Sequence, residues 1–148
     1  TVSVAAHSSM TLHDSDLTEK FTDLSHAYGF GEPVADAVQA TMIVKDVVVA
    51  RDVHVIRSTA HQQIIELDAN AVLVDGRWSL ELLSRTTLRY VEVDAPGWRP
   101  ADNYFHLAGG LPYRIPLTTL RDHTDRPPKG SVTSIDAQTV TRFSADHR

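Results

Sequence analysis

The sequence predicts a mainly β protein: a curved antiparallel sheet or a small β-barrel, with one N-terminal amphipathic helix as a cover or lid. Three observations lead to this fold class. Residues 38–94 hold most of the apolar and β-branched side chains and only one glycine, Gly76. Within them lies a hairpin signal at Asp75-Gly76, and the arm that follows is long enough to require a bend. Closed sheets of about eight strands can be filled by side chains or can hold one small ligand.

The hairpin signal is the sequence AVLV-DG-RWSLELL, residues 71–83. A two-residue type I′ turn needs positive φ at both central positions, and Asp-Gly tolerates this. Alternation on the second arm predicts that Trp78, Leu80 and Leu82 face the interior. We expect Gly76→Val to cost more stability than Gly97→Val, because positive φ is expected at Gly76.

The second arm continues through SRTTLRYVEV, and its apolar phase changes on the way. Leu88 and Tyr90 share the phase of Trp78, whereas Val91 and Val93 lie in the opposite phase. A long strand with such a change predicts a bulge or a strong coil, which is typical of curved sheets and barrels.

An amphipathic helix is predicted from Ser15 to Tyr28. Asp16 precedes Glu19 by three residues, as in a capping box, and apolar residues then recur at helical spacing up to Gly29. The stripe consists of Leu17, Phe21, Leu24 and Tyr28. One narrow apolar face has to lie on something, so we expect this helix to cover the sheet.

The other elements are less sharply defined. From Ala40 the chain is strand-like, and a turn is possible at Lys45-Asp46 or at Arg51-Asp52. Two strands, or one long bent strand, fit this stretch equally well. Residues 95–116 form a loop-rich aromatic stretch, and Pro116 limits the next strand to a sheet edge or a strand start. Residues 131–144 are again strand-like. We therefore predict six to eight strands in all. The rival architecture is an α+β cone with several helices on a bent sheet.

Length and composition narrow the class of protein. The 148 residues with 42% hydrophobic content fit a single β-rich domain, residues 1–148. A net charge of −5 without a basic stripe argues against nucleic acid, and no run is long and apolar enough for a membrane span. The absence of cysteine excludes thiolate chemistry and fits a cytoplasmic location. A homodimer is left open.

No cofactor or metal motif is present. The eight histidines contain no His-x-His, no i, i+4 pair and no HExxH, so we predict no metal site. A G-x-S-x-G elbow is missing as well. Gly109-Gly110 precedes Leu111-Pro112 rather than a helix start, so no phosphate-binding loop or dinucleotide motif is predicted, and we expect no cofactor.

The candidate site residues are rings that carry a polar atom within apolar surroundings. Such side chains are costly to expose and useful for lining a cavity. The predicted catalytic residues are Tyr90, Tyr104 and His106, and the predicted substrate-binding residues are Trp78, Leu80, Leu82, Leu88, Trp98 and Tyr113. Tyr90 is expected to point inward in the phase of Trp78. Glu81, Arg85 and Arg89 are interpreted as a solvated salt-bridge ladder on one strand.

Three functional hypotheses follow. The first is a cofactor-independent cyclase, isomerase or lyase that holds an apolar small molecule in a barrel cavity, where positioning alone can lower the barrier by about 7–11 kcal/mol. In general architecture this is similar to the small barrel cyclases of polyketide metabolism, an analogy that no motif carries. The second is a non-catalytic β-domain that binds a ligand or a protein through its aromatic loop. The third is an NTF2-like acid–base enzyme, based only on DGRW and the strand after it.

Overall fold

The computed structural model of the chain describes residues 1–18, 22–57, 61–120 and 126–145. The chain divides into two compact units, residues 1–33 and 34–148, and each is described by itself. That both form one domain stays a prediction. Among the described residues, no helix has the length and apolar character needed to cross a bilayer.

The predicted helix from Ser15 to Tyr28 is wrong. Within the described part of this span only α1 (Asp14–Leu17) is helical, and Thr18 already has extended backbone angles, φ −111° and ψ 140°. Further on, the Asp23 carboxylate accepts the backbone N–H groups of Ala27 and Tyr28, at 2.9 and 2.7 Å. Side-chain acceptors of this kind compete with helical hydrogen bonds, and here they fold the segment into a loop. Phe21, in the predicted apolar stripe, lies outside the described residues.

The second unit confirms the mainly β, antiparallel prediction. Its described residues contain ten strands: β1 (Ala37–Val44), β2 (Val47–Val55), β3 (Leu67–Val74), β4 (Arg77–Ser84), β5 (Leu88–Asp94), β6 (Trp98–Pro100), β7 (Phe105–Leu107), β8 (Tyr113–Thr119), β9 (Gly130–Thr133) and β10 (Thr141–Phe143). This exceeds the predicted six to eight, because β6, β7 and β10 have three residues each, too few for a period-2 pattern to be visible.

The architecture is a β-sandwich, and the predicted barrel is wrong. One four-stranded sheet has the order β3-β4-β8-β6 and the other β10-β9-β5-β7, while β1 and β2 form a separate hairpin. Buried side chains from both four-stranded sheets form one core cluster, so the two sheets pack face to face. Apart from β7, the order corresponds to the A-B-E-D and G-F-C sheets of immunoglobulin-type sandwiches.

The predicted hairpin at Asp75-Gly76 is confirmed. Both residues have positive φ, 50° and 72°, and Val74 pairs with Arg77 across the turn. On β4, Leu80 and Leu82 are buried and Trp78 packs partly buried against the core. Gly97 also has positive φ, 85°, because the N–H of Trp98 bonds the carbonyl of Ala95 in a turn of type II geometry. The expected contrast between Gly76→Val and Gly97→Val therefore loses its basis.

The phase change after Trp78 has two structural causes. The long arm is two strands, since residues 85–87 carry the chain from β4 in one sheet to β5 in the opposite sheet. In β5 the pairing with β7 also shifts between Leu88 and Val91, where Tyr90 has a φ of 48°. The predicted bulge is therefore confirmed, but the bend belongs to a sandwich crossing and not to barrel closure.

The β1–β2 hairpin turns at Lys45-Asp46, where φ is 48° and 64°. The alternative turn, Arg51-Asp52, lies within β2 instead. Val53 on β2 is buried, and Arg51 reaches the residues before β8.

Pro116 lies in the middle of β8, an internal strand, and not at the predicted sheet edge or strand start. β8 is divided between two neighbours: Tyr113 to Pro116 pair with β4, and Leu117 to Thr119 pair with β6. Pro116 therefore stands where one ladder ends and the next begins. A missing backbone N–H is tolerated at such a point.

Candidate functional site

The predicted aromatic residues meet at a groove beside β7. Its volume is about 220 Å³, and we call it the Tyr113 groove. Its walls are formed by β2, by β7 with the loop before it, and by the first residue of β8. The lining residues are Arg51, Asp52, Val53, Asp102, Tyr104, Phe105, His106 and Tyr113.

Tyr113 is held on three sides. Its hydroxyl donates to Oδ2 of Asp102 at 2.9 Å, its ring packs on Phe105 with 4.8 Å between centroids, and the guanidinium carbon of Arg51 lies 4.7 Å from the ring centroid. Burial, and then the hydrogen bond to Asp102, raise the pKa of Tyr113 to about 12. The phenol is therefore a protonated donor at neutral pH and not a base.

Tyr104 is positioned by the chain just before β7. Its φ is 60°, and its hydroxyl donates to Glu92 at 3.0 Å, a bond that raises the pKa of Tyr104. Beside it, the Asn103 side chain accepts from the N–H of Val93 at 2.8 Å and donates to the carbonyl of Val93 at 3.2 Å. The amide thus substitutes for a strand neighbour and fixes the loop to β5.

His106 is paired with Tyr90. Nδ1 of His106 accepts the backbone N–H of Tyr90 at 3.3 Å, and the two rings meet edge to face at 4.9 Å. With Nδ1 as acceptor, a neutral ring carries its proton on Nε2 and can donate it to a ligand. Tyr90 itself is 52% exposed, so the prediction that it points inward is wrong. The bulge at Tyr90 turns its side chain to the outer face of β5.

Arg51 joins the Tyr113 groove to a second, wider one. Its Nη1 donates to the carbonyl of Pro112 at 3.0 Å, while its Nε is buried and has no hydrogen-bond partner among the described residues. The second groove, of about 460 Å³, shares Arg51 and Tyr113 with the first. It also contains Asp68, Asn70, Glu81, Leu82, Leu83, Pro112 and Arg114.

The predicted site residues fall into three groups. Tyr104, His106 and Tyr113 line one groove, and Tyr90 joins them through His106. Leu80, Leu82 and Leu88 belong to the core cluster. Trp78 and Trp98 pack against that core and against each other, edge to face at 6.5 Å.

Sequence reasoning missed Arg51, Asp102 and Phe105. Phe105 follows Tyr104 directly, so the run Asn103 to His106 could have marked this groove as a unit. No sequence signal marked Arg51 as a groove residue, because Arg51-Asp52 fits a turn equally well. The contact between Arg51 and Tyr113 also joins residues that are far apart in sequence.

The predicted ladder of Glu81, Arg85 and Arg89 is wrong, because each residue has a different partner. Glu81 pairs with Arg114 and Arg85 with Glu66, both on exposed surfaces. Arg89 binds the buried carboxylate of Asp136 through Nε at 3.1 Å, Nη2 at 2.6 Å and its backbone N–H at 2.7 Å. This hydrogen-bonded pair raises the pKa of Arg89. Glu81 and Arg89 cannot belong to one ladder, because β4 and β5 lie in opposite sheets.

No cluster of three or more His, Asp or Glu side chains suited to a metal ion occurs within the described ranges. No family model matches the chain, and comparison with curated proteins and with solved structures likewise finds no match. The two grooves are therefore the features of the molecule that bear on its function.

Proposed function

We propose that this protein is a non-catalytic binding β-domain whose Tyr113 groove takes an extended peptide segment of a partner protein. The observation that carries the proposal is Arg51, a groove residue whose buried Nε–H has no hydrogen-bond partner in the part of the chain that the structure describes. Buried donors without partners cost about 1–3 kcal/mol, and a ligand carbonyl at this position would remove that cost.

The groove chemistry suits a peptide better than an apolar molecule. Arg51 and His106 offer donors, Asp102 offers an acceptor, and Phe105 and Tyr113 offer ring surface. A peptide backbone carries both a donor and an acceptor at every residue, and its side chains can lie on rings. The neighbouring groove that shares Arg51 and Tyr113 provides length for an extended chain.

The phenols support binding rather than acid–base catalysis. The pKa values of Tyr104 and Tyr113 are raised by their carboxylate partners and, for Tyr113, first by burial. Both hydroxyls already donate to a carboxylate, so each ring is fixed in place before a ligand arrives. Preorganised rings contribute contact area at little entropic cost.

The cofactor-independent enzyme is the competing proposal. It needs a site that excludes water, and a group that transfers a proton. His106 is the candidate for that transfer, because its Nδ1 accepts the N–H of Tyr90 and leaves Nε2 to meet a ligand. Incubation with extracted metabolites, followed by mass spectrometry, would favour the enzyme if a product formed with the wild type and not with His106→Ala.

An NMR titration of the full chain with N-acetyltryptophanamide, a neutral peptide mimic, tests the binding proposal. At about −0.3 kcal/mol per non-hydrogen atom, a ligand of about 18 such atoms is expected to bind with a Kd of roughly 0.1–1 mM. The amide signals of Val53, Phe105 and Tyr113 should shift. Arg51→Ala should weaken binding about tenfold through the lost hydrogen bond.

The matched control is Arg85→Ala, which removes an exposed arginine that lines neither groove and should leave the Kd unchanged. Equal affinities for wild type and Arg51→Ala, or shifts confined to other parts of the chain, would refute the proposal.

A further inference from the structure

The wider of the two grooves lies on the outer face of the sheet that contains β3, β4 and β8. Asp68 on β3 pairs with Leu83 on β4. Glu81, two residues before Leu83, pairs with Arg114 on β8. Residues paired across an antiparallel ladder point to the same side, and Leu83 is exposed whereas its neighbour Leu82 is buried. The solvent side of this sheet therefore forms the floor of the wider groove.

The two grooves together carry negative charge. Their lining residues include four carboxylates and two arginines, which with His106 counted as neutral is a net charge of −2. The carboxylates are Asp52, Asp68, Asp102 and Glu81, and the arginines are Arg51 and Arg114. A lining of this sign attracts a cationic ligand and repels an anionic one.

The four carboxylates differ in what they already bind. Glu81 is paired with an arginine, Asp102 accepts a phenol, and Asp52 accepts a backbone N–H. Asp68 is exposed, and no described residue donates a hydrogen bond to its side chain or forms an ion pair with it. Asp68 is therefore the carboxylate of the grooves whose charge is open to a ligand.

We propose that the peptide segment bound by this protein carries a lysine or arginine whose charged end pairs with Asp68, an inference that rests on the proposed function. Arg51 binds the carbonyl of Pro112 just before β8, so a peptide carbonyl held by Arg51 lies at that end of the wider groove. The basic side chain runs from there over Leu83 to Asp68.

The length and polarity of this path match a basic side chain. Neighbouring strands lie about 4.8 Å apart, so β8 and β3 are about 10 Å apart across β4. Lysine and arginine have long apolar stems and keep only the end of the side chain charged. The stem can lie on Leu83, which is 41% exposed, while the charged end reaches Asp68.

Two peptides of opposite charge test this preference in the same NMR titration of the full chain: N-acetyl-Lys-Trp-Lys-amide and N-acetyl-Glu-Trp-Glu-amide. Charged residues on both sides of tryptophan make the result independent of the direction in which the peptide binds. At low salt the lysine peptide should bind about five- to tenfold more tightly, because it gains an ion pair where the glutamate peptide meets a like charge. The two Kd values should converge at about 1 M salt, where the Debye length is about 3 Å.

Substitution of one carboxylate assigns the preference to Asp68. Asp68→Asn should lower the ratio of the two Kd values about threefold, since it removes the charge but keeps the shape of the side chain. The matched control is Asp75→Asn, which removes the same charge from a turn that lines neither groove. Asn-Gly suits a type I′ turn as well as Asp-Gly does, so this variant should keep both the hairpin and the ratio.

The outcomes separate this inference from the proposed function. Equal affinities of the two peptides for the wild type, or tighter binding of the glutamate peptide, would overturn the inference while the groove still binds a peptide. Equal effects of Asp68→Asn and Asp75→Asn would also overturn it, because the preference would then come from the net charge of the chain. If neither peptide binds, the proposed function fails, and the inference fails with it.

Discussion

Asp136 and Arg89 form a hydrogen-bonded ion pair within the sandwich, and removing one partner leaves the other without its counter-charge. The Asp136 side chain is 6% exposed and that of Arg89 27%, so the carboxylate is the more deeply buried partner. Ser134 extends the network, since its hydroxyl donates to the carbonyl of Arg89 at 2.8 Å and accepts the N–H of Asp136 at 3.2 Å. These hydrogen bonds connect strand β5 to the residues that follow β9.

The two single substitutions should differ in cost because the partners differ in burial. Arg89→Ala leaves a buried carboxylate with one backbone donor, and such an uncompensated charge costs about 3–5 kcal/mol. Asp136→Ala leaves a guanidinium that can turn into water, so we expect about 2–3 kcal/mol. The double variant should cost less than the sum of the two, with a coupling energy of about 2 kcal/mol.

Equilibrium unfolding in urea, followed by the fluorescence of Trp78 and Trp98, measures these free energies. The matched control is Arg85→Ala, whose partner Glu66 is exposed like Arg85 itself, so the loss should stay below about 0.5 kcal/mol. A larger loss of stability for Asp136→Ala than for Arg89→Ala, or a coupling energy near zero, would contradict the assigned burial and pairing.

Three further changes test the core, a strand contact and the groove. Leu80→Ala should cost about 3–5 kcal/mol in urea unfolding, because Leu80 is fully buried in the core cluster. Gly130→Ala should cost about 2–3 kcal/mol by the same assay, since the added Cβ would overlap the backbone carbonyl oxygen of Asp94. The phenol of Tyr113 should titrate near pH 12 by ultraviolet absorbance, and Asp102→Asn should lower this pKa while burial keeps it above 10. Because the pKa is raised in the folded protein, the contribution of the Tyr113 phenol to stability is complete below pH 10 and is lost as the pH rises towards 12.

Each of these has a control. Leu73→Ala, at an exposed position of β3, should change stability by less than about 0.5 kcal/mol. In Gly97→Ala the added Cβ has no atom of the described residues within 4 Å, so the change should cost only the left-handed strain of about 1–2 kcal/mol. Arg51→Ala should raise the pKa of Tyr113 further, because the positive charge of Arg51 lowers it. A Tyr113 that titrates near pH 10 would contradict its burial in the groove.

The parts of the fold that local chemistry specifies could be predicted from the sequence. Asp75-Gly76 defined its hairpin because the turn geometry depends on those two residues alone. The same reasoning applies to Ala95-Pro96-Gly97-Trp98, where proline and glycine occupy the two positions that a type II turn favours. Positive φ at Gly97 was therefore readable from the sequence, although we expected it only at Gly76.

The assignment of strands to sheets could not be predicted, because it depends on contacts between distant residues. The run from Arg77 to Val93 resembles one long strand with a change of phase, and only tertiary packing places β4 and β5 in opposite sheets. The helix failed for a related reason: helical spacing of apolar residues was present, but Asp23 offered the backbone a local alternative.

Part of the candidate site could be predicted from the sequence. Tyr104, His106 and Tyr113 come together because they are close in sequence around one turn of the chain, whereas Arg51 arrives from a separate hairpin. Tyr90 was assigned to the wrong face, since a bulge reverses the side-chain alternation and its position is set by the shifted pairing with β7.

The divided pairing of β8 around Pro116 sets an order in which the strands can form. The β3–β4 hairpin closes over a two-residue turn, whereas Tyr113 has to return over roughly thirty residues to reach Leu82, with the larger loop-closure entropy that this implies. We expect the hairpin to form early in folding and β8 to dock late, joining β4 and β6 in one step. Substitutions in the Asp75-Gly76 turn should then slow refolding, while substitutions at the β6 end of β8 should mainly accelerate unfolding. Stopped-flow measurements of refolding and unfolding rates would distinguish these two kinds of substitution. Because most strand pairing is non-local, we expect a folding time in the millisecond-to-second range.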